Sequence, residues 1–217
     1  MRYSTILFDL DGTLTDPAEG IVNSILYALE KMGIEETDRE KLLPFIGPPL
    51  AESFRVYYGV SQDEATRAVT YYREYYADKG IFENRLYPGI PEFLAALNQA
   101  GATVALATSK PEVYAEQILQ HFGIASQFDF IGGSLLNGQR VQKGEVIAYV
   151  LSALPARSEN SVLMVGDRKH DVIGARENGL PCAGVLFGYG GREELTEAGA
   201  VYLADSVHAL WNWMDKK

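Results

Sequence analysis

Cysteine is almost missing from this 217-residue chain: Cys182 stands alone, so no disulfide can close within it. Histidine is nearly as scarce, with three scattered residues, which excludes a thiolate or histidine-rich zinc site. Basic side chains are in deficit, 19 Lys and Arg against 29 Asp and Glu, for a formal charge of −10. That balance argues against a nonspecific grip on a nucleic acid polymer or an anionic membrane, both of which need a basic footprint. Long apolar runs are lacking too, and none approaches the ~18 residues needed to span a bilayer. The opening apolar stretch is broken by Asp9 and Asp11 before it could serve as a secretory signal. The expected setting is therefore the cytoplasm. Repeats and low-complexity tracts are absent as well.

What is present is ordinary globular composition, 47% hydrophobic and 22% charged. Short apolar, β-rich runs at 5–8, 103–107, 128–131, 162–165, 183–187 and, more weakly, 201–203 predict strands. Between them, helical patterns lie near 91–100, 112–122, 145–154, 171–178 and 206–214. Strands apolar throughout and joined by helices predict an α/β fold, a Rossmann-like parallel sheet covered by helices on both faces. The stretch 16–86 is the exception, with no convincing strand. Ile21, Ile25 and Leu29 form one helical stripe, a second helix covers 65–77 with its tyrosines four apart, and Pro44, Gly47, Pro48 and Pro49 punctuate the middle. The expected organisation is a core of 1–15 and 87–217 with a small all-helical domain, 16–86, inserted after the first strand.

Two acidic segments carry the chemistry. Asp9-Leu10-Asp11-Gly12-Thr13 ends the first strand, at the sheet edge where ligands bind in open α/β folds. Gly166-Asp167-Arg168-Lys169-His170-Asp171 ends the strand at 162–165 in the same way. If those strands are neighbours, Asp9, Asp11, Asp167 and Asp171 converge, and their mutual repulsion calls for a cation. All-oxygen donors select a hard one such as Mg²⁺. Thr108 and Ser109, ahead of a helix beginning near Pro111, offer hydroxyl and N–H donors for a phosphate. Lys143 supplies an ammonium. Taken alone, each of these segments is also an ordinary turn, cap or solvated lysine; together they describe a phosphate between a metal and a lysine.

In this order and spacing the four segments strongly resemble the haloacid dehalogenase-like superfamily of phosphotransferases, in its phosphoglycolate phosphatase and 5′-nucleotidase-like branch with a helical cap. Gly144 stands after Lys143 where many relatives have proline. The resemblance implies Asp9 as nucleophile, Asp11 as general acid and base, and Thr108 and Lys143 as catalytic partners. It implies that Thr108, Lys143 and the N–H groups of Leu10, Asp11 and Ser109 bind phosphate. Mg²⁺ would be held by Asp9, Asp167, Asp171 and the carbonyl of Asp11. The insert would be a lid, with a specificity loop around Phe45, Gly47 and Pro48. The expected enzyme is a Mg²⁺-dependent phosphomonoester hydrolase, monomer or homodimer, acting on a small soluble ester through an aspartyl-phosphate. A β-phosphoglucomutase-like isomerase, a pyrophosphatase and a noncatalytic phosphate-binding module are the alternatives. An acid at position 11 disfavours dehalogenation. The glycines at 188–191 and the Walker-like spacing from Gly133 to Gly138 lack the residues that nucleotide motifs require.

Overall fold

The apolar runs assemble into a six-stranded sheet, every neighbouring pair parallel. The computed structural model describes residues 1–155 and 161–215. The strands are β1 (Thr5–Phe8), β4 (Thr103–Pro111), β5 (Phe130–Ser134), β6 (Val162–Gly166), β7 (Cys182–Val185) and β8 (Tyr202–Ala204), and they lie in the order β5-β4-β1-β6-β7-β8. Between and after them come α4 (Ile90–Gln99), α5 (Glu112–His121), α6 (Lys143–Ala153), α7 (Lys169–Glu177), α8 (Arg192–Ala198) and α9 (Val207–Asp215).

Successive side chains of β1 serve opposite faces of the sheet. Leu7 joins Ala105, Ala107 and Met164 beneath Val146, Ile147 and Val150 of α6 and Val172 of α7. Phe8 turns the other way, edge-on to Phe93 of α4 at 5.8 Å, and Phe93 meets Trp211 of α9. Burial on both faces is why these strands read as continuous apolar runs; each large side chain so buried contributes roughly 1.5–3 kcal/mol.

Two expectations shift. β4 continues through Thr108, Ser109 and Lys110 to Pro111 instead of ending at Ala107, and α5 begins at Glu112 as expected. Thr108 and Ser109 are therefore strand residues. α8 was not foreseen: its sequence REELTEA buries one side chain, Leu195, too few to make a stripe.

By chain contacts, residues Met1–Asp16 and Leu86–Lys217 form one unit and Pro17–Arg85 another. The chain leaves the first through the short strand β2 (Thr15–Asp16) and returns through β3 (Arg85–Leu86). The second unit contains α1 (Ala18–Lys31), α2 (Leu50–Tyr58) and α3 (Gln62–Tyr75). Ile21, Val22, Ile25 and Leu29 of α1 are buried, and a Cβ on Gly20 would lie 1.9 Å from the carbonyl oxygen of Gly80, so glycine permits that close crossing. Ser61 starts α3 with a capping box, its side chain and that of Glu64 each accepting the other's backbone N–H.

Candidate active site

Register puts the acidic segments side by side. Phe8 pairs with Leu106 of β4 and with Val165 of β6, so Asp9 follows one step beyond, and its N–H donates to Val165 O at 2.9 Å. Asp9 shares the face of Leu7 by strand alternation. That face is covered by α6, and Lys143 is the first residue of α6. The Lys143 ammonium lies 2.7 Å from Asp9 Oδ1 and 2.8 Å from Asp171 Oδ1, and it donates to Ala107 O at 3.0 Å. One cation thus ties together the end of β1, the middle of β4 and the start of α7. Asp171 also serves that helix, because its Oδ2 accepts the N–H of Arg168 at 3.0 Å.

The backbone is shaped for this closeness. Leu10 O accepts the N–H groups of Thr13, Leu14 and Thr15, bending the chain sharply after Asp9. Gly12 takes φ +85°, and a Cβ there would fall 2.2 Å from Asp167 Oδ2. A Cβ on Gly174 of α7 would lie 2.9 Å from Lys143 Cγ, so glycine lets the two helices meet at the lysine. The glycines around Tyr189 have the same purpose: a Cβ on Gly188 would sit 2.4 Å from Asp167 Cβ, and one on Gly190 1.9 Å from Asp167 O. The loop they form delivers the Tyr189 N–H to Asp167 Oδ2 at 2.8 Å.

Asp9, Asp167 and Asp171 each offer a carboxylate oxygen within 4.8 Å of the others. At an effective dielectric of about 20, two charges at that separation repel by about 3.5 kcal/mol. Burial raises the pKa of Asp167 well above the usual carboxylate range, and the charges of Asp171 and Asp9 push it further. Burial also raises Asp171, although Lys143 opposes it. Burial alone would lower the Lys143 pKa, but Asp171 and Asp9 outweigh it and hold the ammonium charged. Three carboxylates and one ammonium leave two negative charges in a buried, all-oxygen cluster. That charge and donor set fit a hard divalent cation.

The Asp11 carboxylate belongs to a separate pair. Its Oδ2 is in direct contact with the ammonium of Lys110, from the end of β4. Burial raises its pKa, with Lys110 opposing. The hydroxyl of Thr108 is buried on the same strand and accepts the N–H of Lys110 at 3.2 Å. Ser109 and Lys110 are partly buried, and Leu10 is fully buried. His170 is exposed.

The residues Phe45, Gly47 and Pro48 lie in the helical unit. Phe45 is 1% exposed and packs against Phe54, Tyr57 and Tyr58 with ring centroids 5.2–6.2 Å apart, so its side chain is core. Gly47 is exposed, with φ +104°, and Pro48 is half-buried. The sequence assigns no role to Lys110, and the glycines at 188–191 read there only as an incomplete nucleotide motif. Their spacing and a lysine beside Thr108 were visible, but nothing linear connects them to Asp11 or Asp167.

The family model described as haloacid dehalogenase-like hydrolase matches residues 6–185, and the chain belongs to that family of enzymes. It is 48% identical over 195 residues to a Pseudomonas aeruginosa protein named 5'-nucleotidase, covering 90% of this chain and 88% of that one. It is 42% identical over 185 residues to the Mycobacterium tuberculosis protein named tyrosine-protein kinase PtkA, covering 85% of this chain but 62% of that longer protein. A solved structure described as a predicted phosphatase from Clostridium acetobutylicum superposes with a TM-score of 0.93 at 46% identity, covering 99% of both chains.

Proposed function

We propose that this chain is a Mg²⁺-dependent phosphomonoester hydrolase that works through an aspartyl-phosphate on Asp9 and acts on a small soluble ester of the nucleoside monophosphate or phosphoglycolate type. The observation that carries the reading is Asp9 at the sheet edge, its carboxylate 2.7 Å from the buried Lys143 ammonium and within the three-carboxylate cluster. A structural turn has no use for so many unlike charges in one buried place.

In the first step an Asp9 carboxylate oxygen forms a bond to phosphorus while the bond from phosphorus to the ester oxygen breaks, and Asp11 gives its proton to the departing alkoxide. In the second, Asp11 takes a proton from water as the water oxygen attacks phosphorus and the bond to Asp9 breaks, releasing inorganic phosphate. Splitting one displacement into two eases each. Lys143, the Thr108 hydroxyl and the N–H groups of Leu10, Asp11 and Ser109 hold the equatorial phosphoryl oxygens, whose charge grows toward the transition state. Asp9, Asp167, Asp171 and the Asp11 carbonyl hold Mg²⁺, which when bound offsets the charge of the carboxylates and the phosphoryl group. The helical unit 17–85 is the specificity domain in this reading, with Gly47 and Pro48 as its contact residues and Phe45 as their support.

The test is a screen of released phosphate over nucleoside 5′-monophosphates, phosphoglycolate, glucose 1-phosphate and pyrophosphate, with and without Mg²⁺. Metal-dependent release from at least one monoester is expected. Conversion of glucose 1-phosphate to glucose 6-phosphate would indicate a mutase instead. Because one relative is named a tyrosine kinase, a tyrosine peptide with a nucleoside triphosphate as phosphoryl donor belongs in the panel, and transfer to the peptide in place of release to water would refute hydrolysis.

A further inference from the structure

We propose that Lys110 is a positioning residue: it holds the Asp11 carboxylate in the orientation that proton transfer to the leaving oxygen requires, and so sets the enzyme's capacity for poor leaving groups. The proposal rests on the reading of Asp11 as proton donor. The Lys110 and Asp11 side chains are 7% and 15% exposed, so water competes weakly for either. They come from positions 99 apart, which makes the pairing a product of the β1–β4 neighbourhood and not of local chain geometry.

Division of labour among the lysines supports the assignment. Lys143 already serves the carboxylates of Asp9 and Asp171, whereas Lys110 meets a different carboxylate, that of Asp11. Lys110 is itself well held. It lies inside β4, its N–H donates to the Thr108 hydroxyl, and Pro111 follows with its fixed φ of −54°. Asp11 has fewer side-chain anchors. It precedes Gly12 in the tight loop after β1, and its Oδ1 is buried with no hydrogen-bond partner among the described residues. A carboxylate anchored through Oδ2 alone takes its orientation from that anchor, with Oδ1 left to meet a proton-transfer partner. The strand therefore positions the loop's acid, with Lys110 as the link.

The experiment compares Lys110→Met, Lys110→Arg, Asp11→Asn and the double variant Asp11→Asn/Lys110→Met, on an alkyl phosphate monoester and on p-nitrophenyl phosphate, at saturating Mg²⁺. An aryl leaving group departs with little protonation; an alkoxide does not. Read as the single-turnover rate of alcohol or phenol release, which reports the first step alone, Lys110→Met should lose roughly 100-fold on the alkyl ester and less than about tenfold on the aryl ester. The double variant should be hardly worse than Asp11→Asn alone, because both act through one group. Lys110→Arg keeps the charge and should restore part of the alkyl-to-aryl ratio, which also guards against a loss of folding in the Met variant. Equal losses on the two esters, or losses that multiply with those of Asp11→Asn, overturn the positioning role while leaving hydrolysis standing. A wild-type enzyme that releases phosphate from neither ester defeats the hydrolase reading itself, and this assignment falls with it.

Discussion

Replacing Lys143 with Met removes the one ammonium shared by Asp9 and Asp171 while keeping most of the side-chain volume. At 2.7 and 2.8 Å, each ion pair amounts to about 6 kcal/mol of attraction at an effective dielectric of about 20, most of it offset by the cost of burying the charges. Removing one partner of such a buried network typically costs about 3–5 kcal/mol, since the remaining charges stay buried without compensation. For a chain of this length that corresponds to a fall in melting temperature of about 6–20 °C. The assay is thermal unfolding followed by circular dichroism in excess chelator near pH 7.5, repeated near pH 5.5. Asp167 and Asp171 have pKa values raised by burial, so they weaken the fold above their folded pKa. That penalty shrinks as pH falls toward the unfolded value of about 3.9. Lys143, itself shifted upward, stays charged throughout this range in the wild type. The deficit of Lys143→Met should therefore be largest at the higher pH and smaller at the lower, and millimolar Mg²⁺ should recover part of it. A variant that melts within about 1 °C of wild type in chelator at both pH values would refute the charge-balance reasoning.

Asp9→Asn should remain folded and lose at least about 10³-fold in kcat, measured by phosphate release; retention of a tenth of the activity would contradict a covalent role. Asp167→Ala should abolish most of the Mg²⁺-dependent rise in melting temperature, whereas Thr108→Ala should keep that rise and weaken competitive inhibition by inorganic phosphate. In Gly188→Ala the added methyl meets Asp167 Cβ at 2.4 Å, so the loop must shift, and the Mg²⁺ concentration for half-maximal activity should rise at least tenfold.

Much of the core was legible because burial leaves a strong mark on parallel strands. Ile6, Leu7 and Phe8, or Leu163, Met164 and Val165, admit no polar residue because both faces are covered. Asp9 follows directly after such a run and Asp167 one glycine later, which is why both stand out in the sequence. Where a strand outlives its apolar stretch, the signal fails: Thr108, Ser109 and Lys110 look like a cap, yet the backbone stays extended through them to Pro111. Helix α8 was missed because Leu195 alone faces inward. Phe45 reads as part of a loop, and only the fold reveals Phe54, Tyr57 and Tyr58 around it. The pairing of Lys110 with Asp11 and the approach of Gly188 to Asp167 depend on which strands become neighbours, and local pattern carries no such information.

The most direct test of the central claim is to find the phosphoryl group on the protein. Asp11→Asn enzyme, slowed in the second step, would be mixed with p-nitrophenyl phosphate and Mg²⁺, quenched in acid, digested and examined by mass spectrometry. The expected result is one phosphoryl group on the peptide containing Asp9, absent when Asp9 is also replaced by Asn. A phosphoryl group on another residue, or steady turnover by an enzyme that never carries one, would contradict the mechanism.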